Sequence, residues 1–419
     1  MSLGEFSVSD HGITFAKGYR ASGTAAGIKR SLRPDLAVVT SQLPASVAGL
    51  FTTNRVRAAP VEICEELLRS SPTEARGLVV VSGVANALTG PAGLEDSRRV
   101  IELSEQALGL PKGSVYHAAT GVIGPRIPVE KVASHLPSAV EALSFDREAA
   151  TKAATAILTT DTRTKEAAVS VRLADGTRAR IGGMAKGSGM IAPSVGPPHA
   201  TTLAFLTTDA RVSPTGLQGL LNREADRTFN MISVDGDTST NDTVLAFANG
   251  AAGGALSDDD PALARGIGFV LEKLARAVAR DGEGATKLLT VHVEGAADVH
   301  EAREAARAVA SSLLVKTALF GADPNVGRIA CALGYSGATF DTGDLDVRLV
   351  DGQKQWPLIL RGTPAPGLDN GQGHRLHAIL QRMEEVVLDV QLRNGPAQAT
   401  AWGCDLSYGY VQINAQYRT

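Results

Sequence analysis

Apolar and polar positions along the chain follow two different periods in turn. "DLAVVT" (Asp35 to Thr40) and "GLVVVSG" (Gly77 to Gly83) are short, nearly continuous apolar runs, the pattern of strands covered on both faces. From Leu94 to Leu110, Val100, Leu103 and Leu108 recur at helical spacing, with charges on the other face. Ile267, Val270, Leu271, Leu274 and Val278 mark a second helical stripe, which Gly282 ends. In "KLLTVHVEG" Leu289, Val291 and Val293 alternate with Thr290 and His292, which predicts a strand; "VHEAREAARAVASSLL" then returns to a helix. "LRGTPAPGLDNGQGH" (Leu360 to His374) is dense in turn residues and predicts a surface loop. This alternation gives a mixed α/β class and leaves the topology open.

Composition narrows the function classes. At 419 residues the chain is one large domain or two fused ones, with ample material for a core. Aromatic residues are only 4%, so that core is built from small and β-branched side chains. A net charge of -3, with no Lys/Arg cluster, excludes a nucleic-acid footprint. No window approaches an apolar membrane span, and the first residues lack a basic-then-apolar leader, so a cytoplasmic protein with no membrane partner is expected. Cys64, Cys331 and Cys404 are too few and scattered for a disulfide framework or a thiolate metal site, and the histidines show no H-E-x-x-H pairing. Neither a metal nor a cofactor is expected.

The candidate chemistry is therefore a hydroxyl. "GGMAKGSGM" (Gly182 to Met190) lacks phosphate-loop spacing, because its lysine precedes the glycine, and "KGSGM" falls one residue short of G-x-S-x-G. What remains is "APSVGPPHATTLAFLTTDA" (Ala192 to Ala210), where Thr201 and Thr202 head an apolar strand-like run after a Gly-Pro-Pro turn. A threonine becomes a nucleophile when a base stands beside it. Its own α-amine, freed by cutting the preceding peptide bond, is one such base, with a pKa of roughly 7.7–8.0. Ala200 is small enough to let the hydroxyl attack its carbonyl. On the dipeptide alone, packing and catalysis both remain open.

Longer blocks decide between them. "GYRASGTAAGIK", "GLFTTNRVRAAPV", "AATGVIGPRIP", "ILTTDTRTKEAAVSV", "IGGMAKGSGMIAP", "ATTLAFLTTDA", "FNMISVDGDTSTNDTVLAFANG", "DGEGATK", "ALFGADPNVGRIACALGYSG" and "GCDLSYGYVQINAQYRT" run nearly end to end. Together they resemble the ornithine acetyltransferase family, the glutamate N-acetyltransferases of arginine biosynthesis. The resemblance implies a layered αββα sandwich of the self-processing kind, with a smaller second domain. It also implies self-cleavage between Ala200 and Thr201, into an α chain (1–200) and a β chain (201–419) that fold together. Thr201 would then carry acetyl from N-acetylornithine to glutamate; Thr202 fills the family's spacer before "LAF". The family further implies α and β chains associating as an α2β2 heterotetramer, with acetyl-CoA an open second donor.

Other roles transfer by the same blocks. Thr120 and Gly121 of "AATGVIG" match the oxyanion hole, where a hydroxyl and a backbone N–H meet the developing tetrahedral oxygen. Thr159, Lys186, Glu283, Asn414 and Thr419 match positions that contact the amino-acid substrate, as does Thr201 itself. Glu283 suits an ammonium; Lys186 suits a carboxylate or would hold the nearby amine in its neutral form. The chain departs from the family at Val81, Val84 and Leu88 of "VSGVANALTG", where two amides and a thiol are usual, and at Val326 in place of tryptophan. "SVGPPH" before Ala200 is roughly four residues longer than the family pattern. The departures suit a paralogue with a shifted substrate. Two further alternatives stand beside it: a threonine amidohydrolase or aminopeptidase, in which water takes the acyl group, and an uncleaved binding protein.

Intact mass under denaturing conditions tests the processing directly. The purified protein should appear as Met1–Ala200 and Thr201–Thr419; an active preparation consisting of the single 419-residue chain would contradict self-cleavage.

Overall fold

A computed structural model describes residues 6–192, 202–368 and 371–416. Ala200, Thr201, Thr419 and the inserted Gly196 to His199 lie outside the described residues. The chain divides into two compact units, the first from Met1–Asn230 and Asp237–Val278, the second from Met231–Gly236 and Ala279–Arg418. The 200/201 junction therefore falls inside the first unit.

The first unit contains strands β1 (Phe6–Ser9), β2 (Tyr19–Thr24), β3 (Leu36–Phe51), β4 (Ala75–Val84), β5 (Val115–Val122), β6 (Lys165–Arg172), β7 (Arg178–Lys186) and β8 (Leu203–Thr208). After β9 (Ile232–Ser233), which belongs to the second unit, β10 (Thr243–Ala248) completes it. Its helices are α1 (Ala59–Ser70), α2 (Gly90–Leu108), α3 (Val129–Glu141), α4 (Arg147–Ala156), α5 (Pro214–Asp226) and most of α6 (Pro261–Arg280). The strands run in the order β1-β6-β7-β8-β10-β3-β4-β5, with β2 on β3.

Strand β3 joins two layers. Its first half pairs with β2 and β4; after an irregularity between Thr40 and Ala45, its second half pairs with β10. On one face of the β3–β4 part, Leu36, Val38, Val79 and Val81 pack on Val100 of α2 and Leu136 of α3. On the other face, Val39, Leu78 and Val80 share a core with Met184, Phe205, Leu245 and Phe247 of β7, β8 and β10. The far side of β7 meets α6: a Cβ on Gly183 would stand 2.9 Å from Val270 and 3.1 Å from Leu274. The helical stripe read from the sequence thus covers a sheet whose glycines admit it closely. Helix, sheet, sheet and helix are stacked in that order, as the αββα expectation required.

The elements begin and end where their residues allow. Asp146 caps α4 by accepting the Ala149 N–H, Ser213 caps α5 ahead of Pro214, and Gly109 at φ +64° ends α2. The departures from the family pattern are absorbed locally. Val81 is fully buried, while Leu88 is 69% exposed. Asn86, buried between them, donates to the Gly93 carbonyl and to Ser97.

The second, smaller unit is a seven-stranded sheet ordered β14-β13-β12-β15-β11-β16-β9. It comprises β9 with β11 (Leu288–Ala296), β12 (Asp346–Asp351), β13 (Lys354–Leu360), β14 (Thr363–Pro364), β15 (Glu385–Gln391) and β16 (Ala397–Cys404). Its helices are α7 (Val299–Ser311), α8 (Leu313–Phe320), α9 (Val326–Gly334), α10 (Gly371–Arg382) and α11 (Tyr408–Gln416). The expected loop from Leu360 to His374 is only partly irregular, because α10 already starts at Gly371. Its buried stripe, Leu376, Ile379 and Leu380, lies beyond that segment, so the glycine-rich first turn is held by packing that begins later.

One close approach offers a test. At Gly23 a Cβ would lie 2.0 Å from the Lys152 carbonyl oxygen of α4, a backbone atom that has no rotamer to yield. Gly23→Ala should cost about 1–3 kcal/mol, read as a lower urea midpoint; an unchanged midpoint would contradict this packing.

Candidate active site

Thr120 and Gly121 lie near the end of β5, where its parallel ladder with β4 becomes irregular: Gly83 opposes Gly121, and Val84 opposes both Thr120 and Val122. Gly121 has φ +133°, and a Cβ there would fall 2.3 Å from the Gly83 carbonyl carbon. Only glycine fits. Thr120 beside it is 9% exposed. Asn241 fixes this strand end: its Nδ2 donates to the carbonyls of Ala85 (2.6 Å) and Ala119 (2.8 Å), and its Oδ1 accepts from Thr240. In the sequence Asn241 lies within the "FNMISVDGDTSTNDTVLAFANG" block, with nothing in the pattern around it that marks this role.

A second cluster forms around Asp161, whose side chain is fully buried. Its Oδ1 accepts from Lys165 Nζ at 2.7 Å and from the Gly187 N–H at 2.7 Å. Its Oδ2 accepts from the Thr159 N–H at 3.0 Å and lies 3.8 Å from Lys186 Nζ. Burial alone would raise this carboxyl, but Lys186, Lys165 and the N–H donors together hold it well below the usual carboxylate range. Two of the expected substrate residues, Thr159 and Lys186, are thus brought together by an aspartate the sequence reading did not name.

Lys186 closes β7 opposite Leu203 of β8, and Leu203 in turn opposes Thr243 of β10. The Thr202 carbonyl accepts from the Thr243 N–H at 3.0 Å, which docks the start of β8 on both sides. Thr202 is 2% exposed, and its hydroxyl has no hydrogen-bond partner among the described residues. The "KGSG" turn is tight for steric reasons: a Cβ on Gly187 would meet Ile191 at 2.9 Å and Val278 at 3.0 Å.

In the second unit, Glu283 is 6% exposed and its Oε2 accepts from Asn414 Nδ2 at 2.7 Å. Gly284 at φ +70° lets the turn press on the start of α11, where a Cβ would stand 2.4 Å from the Tyr410 nitrogen. Ser407 and Asp405 pin the same segment through the Gly284 carbonyl and the Thr286 and Lys287 N–H groups. Glu283 and Asn414, matched separately in the sequence, therefore meet in space.

Another nucleophile candidate drops out on electrostatics. Cys64 Sγ donates to the His117 main-chain carbonyl, and burial pushes the thiol up to about 12 and the His117 imidazole, which meets the Val79 carbonyl, down to about 4. Both are neutral near pH 7, and the pair belongs to the core. No group of three or more metal-ligating side chains occurs among the described residues, and no described helix is long and apolar enough to cross a membrane.

A sequence model of the ArgJ family matches residues 20–419. The chain belongs to the ArgJ family. The arginine biosynthesis bifunctional protein ArgJ of Thermosynechococcus vestitus is 45% identical over 97% of this chain and 98% of its own. The protein of the same name from Symbiobacterium thermophilum is 45% identical, over 97% and 98%. A solved chain of the Bacillus halodurans ArgJ protein is 41% identical at a TM-score of 0.47, covering 50% of this chain and 97% of that one. Family membership establishes the resemblance read from the sequence blocks, and with it the acyltransferase class.

Because folding lowers the Asp161 carboxyl, its contribution to stability is complete above roughly pH 4 and is lost as acid protonates it below that. Asp161→Asn should flatten this acid limb. At pH 7 it should cost about 3–5 kcal/mol, since buried Lys165 loses its charged partner. Unfolding midpoints measured across pH 2–7 check both; equal acid sensitivity of variant and parent would contradict them.

Proposed function

We propose that this protein is a self-processed acetyltransferase moving acetyl from N-acetylornithine to glutamate, with Thr201 as the nucleophile. In processing, the Thr201 hydroxyl attacks the Ala200 carbonyl, and the peptide C–N bond breaks to leave an ester. That shift frees the Thr201 amine, which takes up the hydroxyl proton; water then hydrolyses the ester, giving the Ala200 carboxylate and the Thr201 hydroxyl. In turnover, the amine accepts the hydroxyl proton as Thr201 Oγ attacks the acetyl carbonyl of N-acetylornithine. The C–N bond breaks, the amine returns the proton to the departing nitrogen of ornithine, and acetyl-Thr201 remains. The α-amine of glutamate then attacks this ester, yielding N-acetylglutamate and the free hydroxyl.

The observation that carries this reading is the bulged, glycine-only strand end at Thr120–Gly121, the kind of rigid feature that an oxyanion hole requires. The other assignments follow the family match: Lys186 for a substrate carboxylate, Glu283 for the ornithine ammonium, and Thr159, Asn414 and Thr419 as further contacts. In this reading the α chain (1–200) and β chain (201–419) stay folded together and associate as α2β2 in the cytoplasm.

Thr120→Ala should lower kcat by about 10²–10³ with much less change in KM, in protein whose cleavage is verified by mass. A KM effect with unchanged kcat would make Thr120 a binding or packing residue. Adding glutamate should raise the rate of N-acetylornithine consumption; an unaltered rate would point to hydrolysis instead. Replacing N-acetylornithine by acetyl-CoA in the same assay decides the second donor.

A further inference from the structure

Lys29 closes the "GTAAGIK" segment that leads into β3, and none of the roles above uses it. Its backbone is fixed with unusual care. The fully buried carboxylate of Asp35 accepts the N–H groups of Ala26 (2.5 Å), Ile28 (2.6 Å) and Lys29 (2.9 Å). The side-chain stem then lies across Gly83, where a Cβ would meet Lys29 Cγ at 3.1 Å. Gly83 is the register partner of Gly121, so this stem crosses the strand position beside the Thr120–Gly121 bulge.

Lys29 Nζ donates to the Pro34 carbonyl at 2.7 Å, an uncharged acceptor that uses one of its N–H groups. The carboxylate of Asp35 is occupied by the three backbone donors, and that of Asp161 by Lys165, Gly187 and Thr159. The charges that act on the Lys29 amine are Asp35, Lys186, Asp161 and Arg33, so it lies within electrostatic reach of the Lys186 cluster. Burial brings its pKa down to about 8; Asp35 and Asp161 oppose the fall, while Lys186 and Arg33 add to it. An anion brought beside such an ammonium favours its charged form.

We propose that Lys29 is a second carboxylate-binding residue of the acetyl-transfer site, its ammonium taking the α-carboxylate that N-acetylornithine and glutamate have in common. The chemistry selects that carboxylate. It sits one carbon from the nitrogen that gives up or receives acetyl, so it must lie beside the oxyanion hole, whereas the two side chains end several bonds away. Donor and acceptor differ in those side chains and agree only in the α-amino-acid head. A cation carried on a stem that crosses Gly83, the register partner of Gly121, would serve both half-reactions with one contact. This rests on the acetyl-transfer reading above.

The test compares Lys29→Met and Lys29→Arg with the parent, after mass confirms the processing state of each. Lys29→Met, which keeps the stem over Gly83, should raise KM for N-acetylornithine and for glutamate by about 10- to 100-fold while kcat at saturation changes little. Lys29→Arg should recover most of the loss. In the parent, KM should climb as pH rises past about 8, where the free amine loses its proton; Lys29→Arg should abolish that climb, because guanidinium stays charged. The free Thr201 amine titrates in the same range but is present in all three proteins, so it cancels in the comparison. Unchanged KM values in Lys29→Met, or a fall in kcat alone, would overturn the proposal. If Lys29→Met fails to fold or process, the pH dependence of Lys29→Arg decides: an alkaline KM rise equal to the parent's overturns it. A parent with no transferase activity would instead overturn the acetyl-transfer reading itself.

Discussion

Strands β8 and β10, which follow position 201, lie between β7 and β3, which precede it. The rest of the larger unit depends on this interleaving. All six residues of β8 are buried, and the strand is paired antiparallel to β7 on one side and parallel to β10 on the other. Removing the segment after 201 would strip both neighbours of a ladder and open the core at Phe205, Met184 and Leu245. A cut before Thr201 thus changes covalent connectivity without changing what holds the sheet together. Backbone hydrogen bonds and the shared apolar core, rather than the peptide bond, join the two parts.

The same interleaving sets the chemistry in place. Lys186 stands opposite Leu203 because β7 and β8 are neighbours, and Asp161 reaches that strand end through Gly187 and Lys186. At the other border of the unit, β4 and β5 part at a bulge that glycine alone can occupy, and Asn241 from the loop before β10 clamps it. Each cluster is a strand end held by a buried polar side chain from a distant segment. Such fully bonded polar contacts are rigid, which is what a hydrogen-bond donor aimed at a transition state requires.

What was legible in the sequence follows from range. The stripe from Ile267 to Val278 and the runs around Val38 and Val80 announced helix and strand, because period and burial are local properties. Thr120, Gly121, Thr159, Lys186, Glu283 and Asn414 were found by matching blocks, and the meeting of Glu283 with Asn414 could not be read from either block alone. Asn241 and Asp161 left no signal: an amide bonded to carbonyls 122 and 156 residues away has no periodicity. Neither does a carboxylate whose partners come from a turn and two strands. The start of α10 was missed because its first turn is glycine-rich and its apolar stripe begins only at Leu376. Lys29 is only the last residue of its block in the sequence; the bonds that Asp35 makes to the backbone around it leave no pattern there.

Acetylation of Thr201 is the step on which the functional reading stands. The most direct measurement is rapid acid quench of the processed protein with N-acetylornithine and no acceptor, followed by intact mass and fragmentation of the two chains. The Thr201–Thr419 chain should gain the mass of one acetyl group, localised to Thr201, and lose it when glutamate is added before the quench. Consumption of N-acetylornithine with that chain unmodified, or an acetyl group found elsewhere, would contradict a threonine-borne intermediate.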